Sequence, residues 1–147
     1  MAVTRSANAT WQGNLTEGSG SVSSATSERL VDLPVSWNAR TADAEGLTGP
    51  EELLAAAHAS CFSMALSNTL FKAGYTAERL DVNATVTADK REAGWTVISS
   101  HLTVHGWVPG ADDAAFQTAA NAAKDGCPIS RALTGNVELS VDATLES

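Results

Sequence analysis

The feature that most constrains the fold is a run of 19 residues, Leu53 to Phe71, that contains no Asp, Glu, Lys or Arg. Polar residues such as His58 and many alanines interrupt it, so it is too weakly apolar for the lipid bilayer. We predict a helix buried on most sides in a soluble core, and not a membrane span. Residues 48–51, Thr-Gly-Pro-Glu, are typical of a helix start, and Gly74 is typical of a helix end.

The flanking segments predict an α+β fold in one domain, residues 1–147, because this length suits a single core. The predicted order is βββ-α-ββ-αα-β around the central buried helix. Alternation of apolar and polar residues predicts strands over 7–12, 21–26, 35–41, 80–88, 98–108 and 137–145, and helices are predicted over 50–73, 111–125 and 128–133.

The charge balance excludes one class of partner. The net charge is −8, and only nine Lys and Arg are present, without clustering, so we expect neither nucleic acid nor an anionic membrane surface as a partner. The first twelve residues lack the apolar segment of a secretory signal. We therefore expect a cytoplasmic protein, in which a permanent structural disulfide is uncommon.

The two cysteines lie in different surroundings. Cys61 lies midway along the predicted buried helix, where a thiol is usually a small packing residue and is reactive only if a cation stabilises its thiolate. Cys127, in Gly126-Cys127-Pro128, lies at a predicted helix N-terminus, which favours a thiolate. Their separation excludes a C-x-x-C motif and paired zinc ligands. We expect no metal and no cofactor.

The three histidines favour structural interpretations. His58, nearly one turn before Cys61, is interpreted as a hydrogen-bonded core residue, although it could polarise the thiol. His101 and His105 share one strand face about 13 Å apart, too far to bind one metal, and we expect both to face solvent. Glu51 fits a capping box with Thr48 at the start of the helix.

Two segments together resemble the OsmC/Ohr family of organic hydroperoxide reductases. Residues 48–66, TGPEELLAAAHASCFSMAL, and residues 126–130, GCPIS, carry the two-part cysteine signature, and Trp11-Gln12-Gly13 and the element order also fit. The resemblance implies an α+β fold in an intertwined homodimer. It also implies reduction of organic hydroperoxides without a cofactor, with an external dithiol, such as a lipoyl-type dithiol, as reductant.

Site residues follow from the resemblance by position. Cys61 is similar to the peroxidatic cysteine, Cys127 to the resolving cysteine and Glu51 to the active-site acid. Arg40 matches the arginine of the OsmC branch, whereas residues 16–20 lack the hairpin arginine of the Ohr branch. We expect Arg40 to pair with Glu51, to hold the Cys61 thiolate and to orient the peroxide.

Two expectations concern the surroundings of the site. Candidate walls of a partly apolar substrate pocket are Trp37, Leu54, Phe62 and Met64. Residues 51 and 61 are about 15 Å apart along a continuous helix, so we predict that the acid–arginine pair and the cysteine pair come from different chains of the dimer.

Three other functions are compatible with the residues. The chain could be a binding protein with inert buried cysteines. It could be a thiol hydrolase using Cys61 with His58, which needs only one cysteine. The cysteines could also form a structural disulfide, whose reduction lowers stability.

Overall fold

A computed structural model of the protein describes residues 1–42 and 46–147. The contacts group the chain into two compact units, residues 1–53 and 54–147. The single domain over residues 1–147 stays a prediction.

The first unit contains a three-stranded antiparallel sheet in the order β1-β2-β3. Gly20 lies where β2 passes beneath the Trp11 ring, and a Cβ there would collide with that ring and with the carbonyl oxygen of Thr10. The hairpin therefore requires glycine at this position. The elements are β1 (Ala7–Gln12), β2 (Ser19–Ser24), β3 (Leu33–Val35) and α1 (Asn38–Thr41).

The third predicted strand is wrong over most of its length. Residues 35–41 alternate in polarity, but only Val35 belongs to a strand, and residues 38–41 form a single helical turn. The Ser36 hydroxyl accepts a hydrogen bond from the backbone N–H of Ala39 at 3.1 Å. This local bond satisfies a free N–H of the turn and favours a helix start over an extended strand.

The second unit packs helices against a sheet in the order β4-β5-β6, with β4 and β5 antiparallel and β5 and β6 parallel. The α+β class and the order of elements are confirmed, with the short helix α1 as an addition. The elements are α2 (Pro50–Lys72, which begins in the first unit), β4 (Arg79–Arg91), β5 (Gly94–Trp107), α3 (Asp113–Gly126), α4 (Pro128–Leu133) and β6 (Glu138–Glu146).

The core of the second unit joins α2, α3 and β5. Phe62, Leu66 and Leu70 recur every four residues, so they share one face of α2, and all three are fully buried. The Phe116 ring of α3 lies against Gly106 of β5, where no Cβ fits. This packing fixes the middle of α2, which carries Cys61.

The expectation that α2 is buried on most sides is not met within one chain. Only 22% of its most apolar window is buried, and Met64 and Phe71 are 67% and 72% exposed. The reason is that the rest of the chain covers only the face of α2 that carries Phe62 and Leu70. By length and composition alone α2 could cross a membrane, but core helices of soluble proteins pass the same test.

Candidate active site

The structure brings the two cysteines together. The Sγ atoms of Cys61 and Cys127 lie 2.8 Å apart, although the two cysteines are 66 positions apart in sequence. Both thiols are free; Cys61 is partly exposed and Cys127 is fully buried. Because the sulfurs are already in contact, a disulfide can form between them with little movement of α2 or of the junction between α3 and α4.

The junction of α3 and α4 places the Cys127 sulfur. Cys127 caps both helices: its N–H donates to the Ala123 carbonyl of α3, and its carbonyl accepts from Arg131 N–H of α4, both at 2.9 Å. Pro128 follows at the first helical position, which suits its fixed φ. The prediction of Cys127 at a helix N-terminus is therefore confirmed. Its side chain makes no capping hydrogen bond to α4.

Opposing influences act on the Cys61 thiol. Burial raises its pKa most, and the hydrogen bond between the two thiols raises it further, whereas the backbone N–H of Ile129, in the first turn of α4, lowers it. The net effect is a raised pKa. None of these influences is a cation.

A cavity of about 470 Å³ opens beside Cys61 within the second unit. Met64, Asn68 and Lys72 line it along α2. Of the expected pocket walls, Met64 does line this cavity, whereas Phe62 is fully buried in the core and does not. Leu54 and Trp37 are not among its lining residues either.

The first unit contains the acid–arginine pair. Arg40 Nε lies 2.9 Å from Glu51 Oε1, and the two side chains are 30% and 19% exposed. The guanidinium also lies 5.9 Å from the centre of the Trp37 ring. Despite the short distance, the Arg40 Nε–H has no well-oriented acceptor among the described residues. The contact is therefore an ion pair, and the expected pairing of Arg40 with Glu51 is found.

The helix start differs from the predicted capping box. The Thr48 hydroxyl donates to Glu52 Oε2 at 2.8 Å and not to Glu51. Gly49 accepts the first helical bond from Leu53. Because Thr48 bonds to Glu52, the carboxylate of Glu51 is available to Arg40.

His58 is a hydrogen-bonded core residue, as predicted. It is fully buried, with Nδ1 2.6 Å from Ser100 Oγ and Nε2 2.8 Å from Ser130 Oγ. Burial lowers the pKa of the imidazole. Because both ring nitrogens are bonded to serines, His58 has no free nitrogen to serve as a base for Cys61. This argues against a hydrolase built on the two residues.

The other two histidines bond to β6. His101 Nδ1 lies 2.6 Å from Ser140 Oγ, and His105 Nδ1 lies 2.6 Å from Glu146 Oε1. His105 is exposed, as expected, and His101 is only partly so. His101 and His105 therefore have separate partners on β6.

Sequence reasoning missed one group at the cysteine pair, the Ile129 N–H, and the two serine partners of His58. The Ile129 N–H could have been found, because the first N–H groups of any helix are free to bond, and Pro128 marks the start of α4. Ser100 and Ser130 had no local signal. They meet His58 from positions 42 and 72 residues away in sequence.

Comparison with known proteins agrees with the fold. The family model described as OsmC-like protein matches residues 42–142 of this chain. The peroxiredoxin OsmC of Escherichia coli (strain K12) is 40% identical over 147 residues, the full length of both chains.

Solved structures share the fold. The organic hydroperoxide resistance protein OhrB of Bacillus subtilis has a TM-score of 0.74 and 27% identity, covering 95% of this chain and 98% of its own. An OsmC-like protein from Mycoplasma pneumoniae has a TM-score of 0.75 at 17% identity, with both chains covered in full, which supports the fold alone. The family match and the full-length likeness lead to one conclusion: this chain belongs to the OsmC family.

Proposed function

We propose that the protein reduces organic hydroperoxides to alcohols, with Cys61 as the peroxidatic cysteine and Cys127 as the resolving cysteine. The chain is a cysteine-based peroxidase by family, and its full-length relative is a peroxiredoxin. The observation that carries the proposed mechanism is the 2.8 Å contact between the two sulfurs. A single-cysteine enzyme has no need of that contact.

The reaction proceeds in three balanced steps. The Cys61 thiolate attacks one peroxide oxygen; the S–O bond forms, the O–O bond breaks, and the alkoxide leaves and takes up a proton. Cys61 is now a sulfenic acid. The Cys127 thiol attacks its sulfur, forming the disulfide and releasing water. An external dithiol then exchanges with the disulfide, becomes oxidised itself and restores both thiols.

Arg40 supplies the charge that the cysteine pair lacks. Burial raises the pKa of Cys61, so a cation must stabilise its thiolate. Arg40 is the cation proposed for this, and its pairing with Glu51 limits the orientations of the guanidinium. The same guanidinium orients the hydroperoxide.

The complete site is proposed to form in a homodimer. Glu51 and Cys61 are ten residues apart on one helix, about 15 Å. Two antiparallel copies of α2 place each arginine–acid pair beside the partner's cysteines. The exposed apolar side chains Met64 and Phe71 would be covered in the same step. Sedimentation without detergent separates this dimer from a membrane-bound monomer.

Mixed dimers test the shared site. A dimer of one Arg40→Ala chain and one Cys61→Ser chain contains one complete site if the site is shared between chains. It should retain about half of wild-type turnover. Each homodimeric variant is a control: Cys61→Ser should be inactive, and Arg40→Ala should keep about one per cent of wild-type turnover. An inactive mixed dimer would place Arg40 and Cys61 of one chain in one site.

The substrate is proposed to carry an apolar group. The cavity beside Cys61 has Met64 and Ala65 on one side and Ala122 and Pro128 on the other. Such walls favour alkyl or aryl hydroperoxides over hydrogen peroxide. We propose a lipoyl-type dithiol as reductant and the cytoplasm as location, because a reducing compartment keeps both thiols ready for each cycle.

Turnover with a dithiol tests the proposal. Wild type should consume cumene hydroperoxide faster than hydrogen peroxide while dihydrolipoamide is oxidised. Cys127→Ser should lose dithiol-dependent recycling, because its sulfenic acid has no internal partner. Wild type that consumes neither peroxide would support a binding protein with inert cysteines. Full turnover in Cys127→Ser would support a one-cysteine enzyme.

A further inference from the structure

His58 is a buried titratable residue that the proposed reaction does not use. Its ring joins three elements of the second unit: α2, which carries it, β5 through Ser100, and α4 through Ser130. A neutral imidazole offers one donor and one acceptor, so one serine hydroxyl accepts and the other donates. Both polar ends of the ring are therefore satisfied, and the lowered pKa of His58 favours this neutral form.

The bond to Ser130 lies next to the cysteine contact. His58 and Cys61 are three residues apart on α2, and Cys127 and Ser130 are three residues apart at the start of α4. Residues at this spacing are neighbours on a helix surface. The two helices are thus joined at two adjacent points, one between sulfurs at 2.8 Å and one between imidazole and hydroxyl at 2.8 Å.

Helix α4 depends on contacts with the rest of the second unit, among them the packing of Ile129 against the core. It has six residues and no side-chain cap at its N-terminus. A helix this short is not stable by itself and depends on tertiary contacts. Ser130 is fully buried, and its hydroxyl bonds to the His58 side chain of α2, next to the Ile129 N–H that bonds to the Cys61 sulfur.

We propose that His58 is a positioning residue for the resolving step: through Ser130 it holds the first turn of α4 against α2, so that the Cys127 sulfur stays within reach of oxidised Cys61. This inference rests on the proposed function. Peroxide adds an oxygen to the Cys61 sulfur at the very contact with Cys127. Without the bond between His58 and Ser130, the added oxygen displaces α4 from α2. The thiol of Cys127 then no longer reaches the Cys61 sulfur.

Two serine variants separate positioning from stability. Ser130→Ala and Ser100→Ala each remove one buried hydroxyl from the same ring, so both should lower the thermal unfolding midpoint to a similar degree. Rapid quenching after one equivalent of cumene hydroperoxide measures the sulfenic acid and the disulfide by intact mass. Ser130→Ala should close the disulfide about tenfold more slowly than wild type, and Ser100→Ala within about twofold.

Excess peroxide gives a second readout of the same step. A sulfenic acid that waits for Cys127 is open to further oxidation. Ser130→Ala should therefore accumulate Cys61 sulfinic acid, whereas Ser100→Ala should resemble wild type. A purely structural role of His58 predicts equal hyperoxidation in the two variants.

Changes at His58 itself provide a control if a serine variant folds poorly. A glutamine amide reaches the position of Nε2 and can keep the bond to Ser130, whereas an asparagine amide reaches that of Nδ1 and can keep the bond to Ser100. His58→Asn should close the disulfide more slowly than His58→Gln.

Equal closure rates within both pairs of variants would overturn the inference. That result differs from a wild type that forms no disulfide at all, which would overturn the proposed function first.

Discussion

The two functional pairs of this chain are held in different ways. Cys61 and Cys127 belong to the second unit, where core packing, the first turn of α4 and the Ile129 N–H fix the sulfurs. Arg40 and Glu51 belong to the first unit, where an ion pair between partly exposed side chains holds them. The geometry of the proposed nucleophile, Cys61, is built into the core, whereas the stabilisation of its negative charge is not, because burial works against the thiolate.

This difference separates two kinds of defect. Changes to the cysteine pair should alter which oxidised species forms. Changes to the Arg40–Glu51 pair should leave the oxidised species unchanged and alter the rate at which the Cys61 sulfenic acid forms.

The largest effect is expected at Cys61. Cys61→Ser should reduce hydroperoxide consumption to the background rate, because an alcohol at this position is not ionised near neutral pH. Cys127→Ser, the matched control, should still react once with hydroperoxide. Dithiol-coupled turnover together with single-turnover peroxide consumption distinguishes the two variants. Single-turnover reactivity in Cys61→Ser would mean that Cys127 is the attacking thiol.

The second largest effect is expected at Arg40. Arg40→Ala should slow the reaction of Cys61 with hydroperoxide about a hundredfold, the usual loss for one electrostatic contact to a reacting group. Thiolate increases with pH, and the pKa of Cys61 is raised without a cation. The rise of the rate with pH should therefore shift to higher pH in the variant.

Two controls accompany this measurement. Arg40→Lys keeps the charge but loses the planar fork, so it should recover part of the rate. Arg29→Ala removes an exposed arginine of the same unit and should change nothing. An unchanged pH profile in Arg40→Ala would assign the stabilisation of the thiolate to another group.

A smaller effect is expected at Glu51. Glu51→Gln removes the charge that orients Arg40 and should slow sulfenic acid formation about tenfold. Glu52→Gln is the matched neighbour, since its carboxylate bonds to Thr48. A reduced rate in Glu52→Gln alone would reverse the roles of the two glutamates.

The sequence predicts elements best where local chemistry decides them. The start of α4 is marked by Gly126 and Pro128, and its bounds are as predicted. Helix α2 ends one residue before the expected position, with Gly74 at a φ of 91°. The alternation at residues 35–41 fails because the hydroxyl of Ser36, which the pattern counts only as polar, caps a helical turn.

The resemblance proposes the residues of the candidate site and the pairing of Arg40 with Glu51, but most contacts in the site have no local signal in the sequence. Family motifs name Cys61, Cys127, Arg40 and Glu51 as site residues. The approach of the sulfurs and the serine partners of His58 depend on how α2, β5 and α4 pack over long sequence separations. Phe62 shows the same limit, because its position next to Cys61 in sequence says nothing of which side of α2 it faces.

The smallest effect is expected in the pH dependence of stability. The pKa of His58 is lowered in the folded state, so below its ordinary value near 6.5 the unfolded chain binds a proton that the folded chain does not. The free energy of unfolding should fall as pH decreases below about 6.5, until the folded pKa is reached. Denaturant titrations at several pH values should show this fall in wild type and a weaker one in His58→Gln. An equal fall in both proteins would assign it to other groups.

The most direct test of the account is the fate of the two sulfurs after one equivalent of cumene hydroperoxide, followed by intact mass and free-thiol count. Wild type should lose two hydrogens and both thiols through an intramolecular Cys61–Cys127 disulfide, and Cys127→Ser should gain one oxygen on Cys61. Unchanged masses and thiols in both proteins would contradict it, and the 2.8 Å sulfur contact would then be a packing contact.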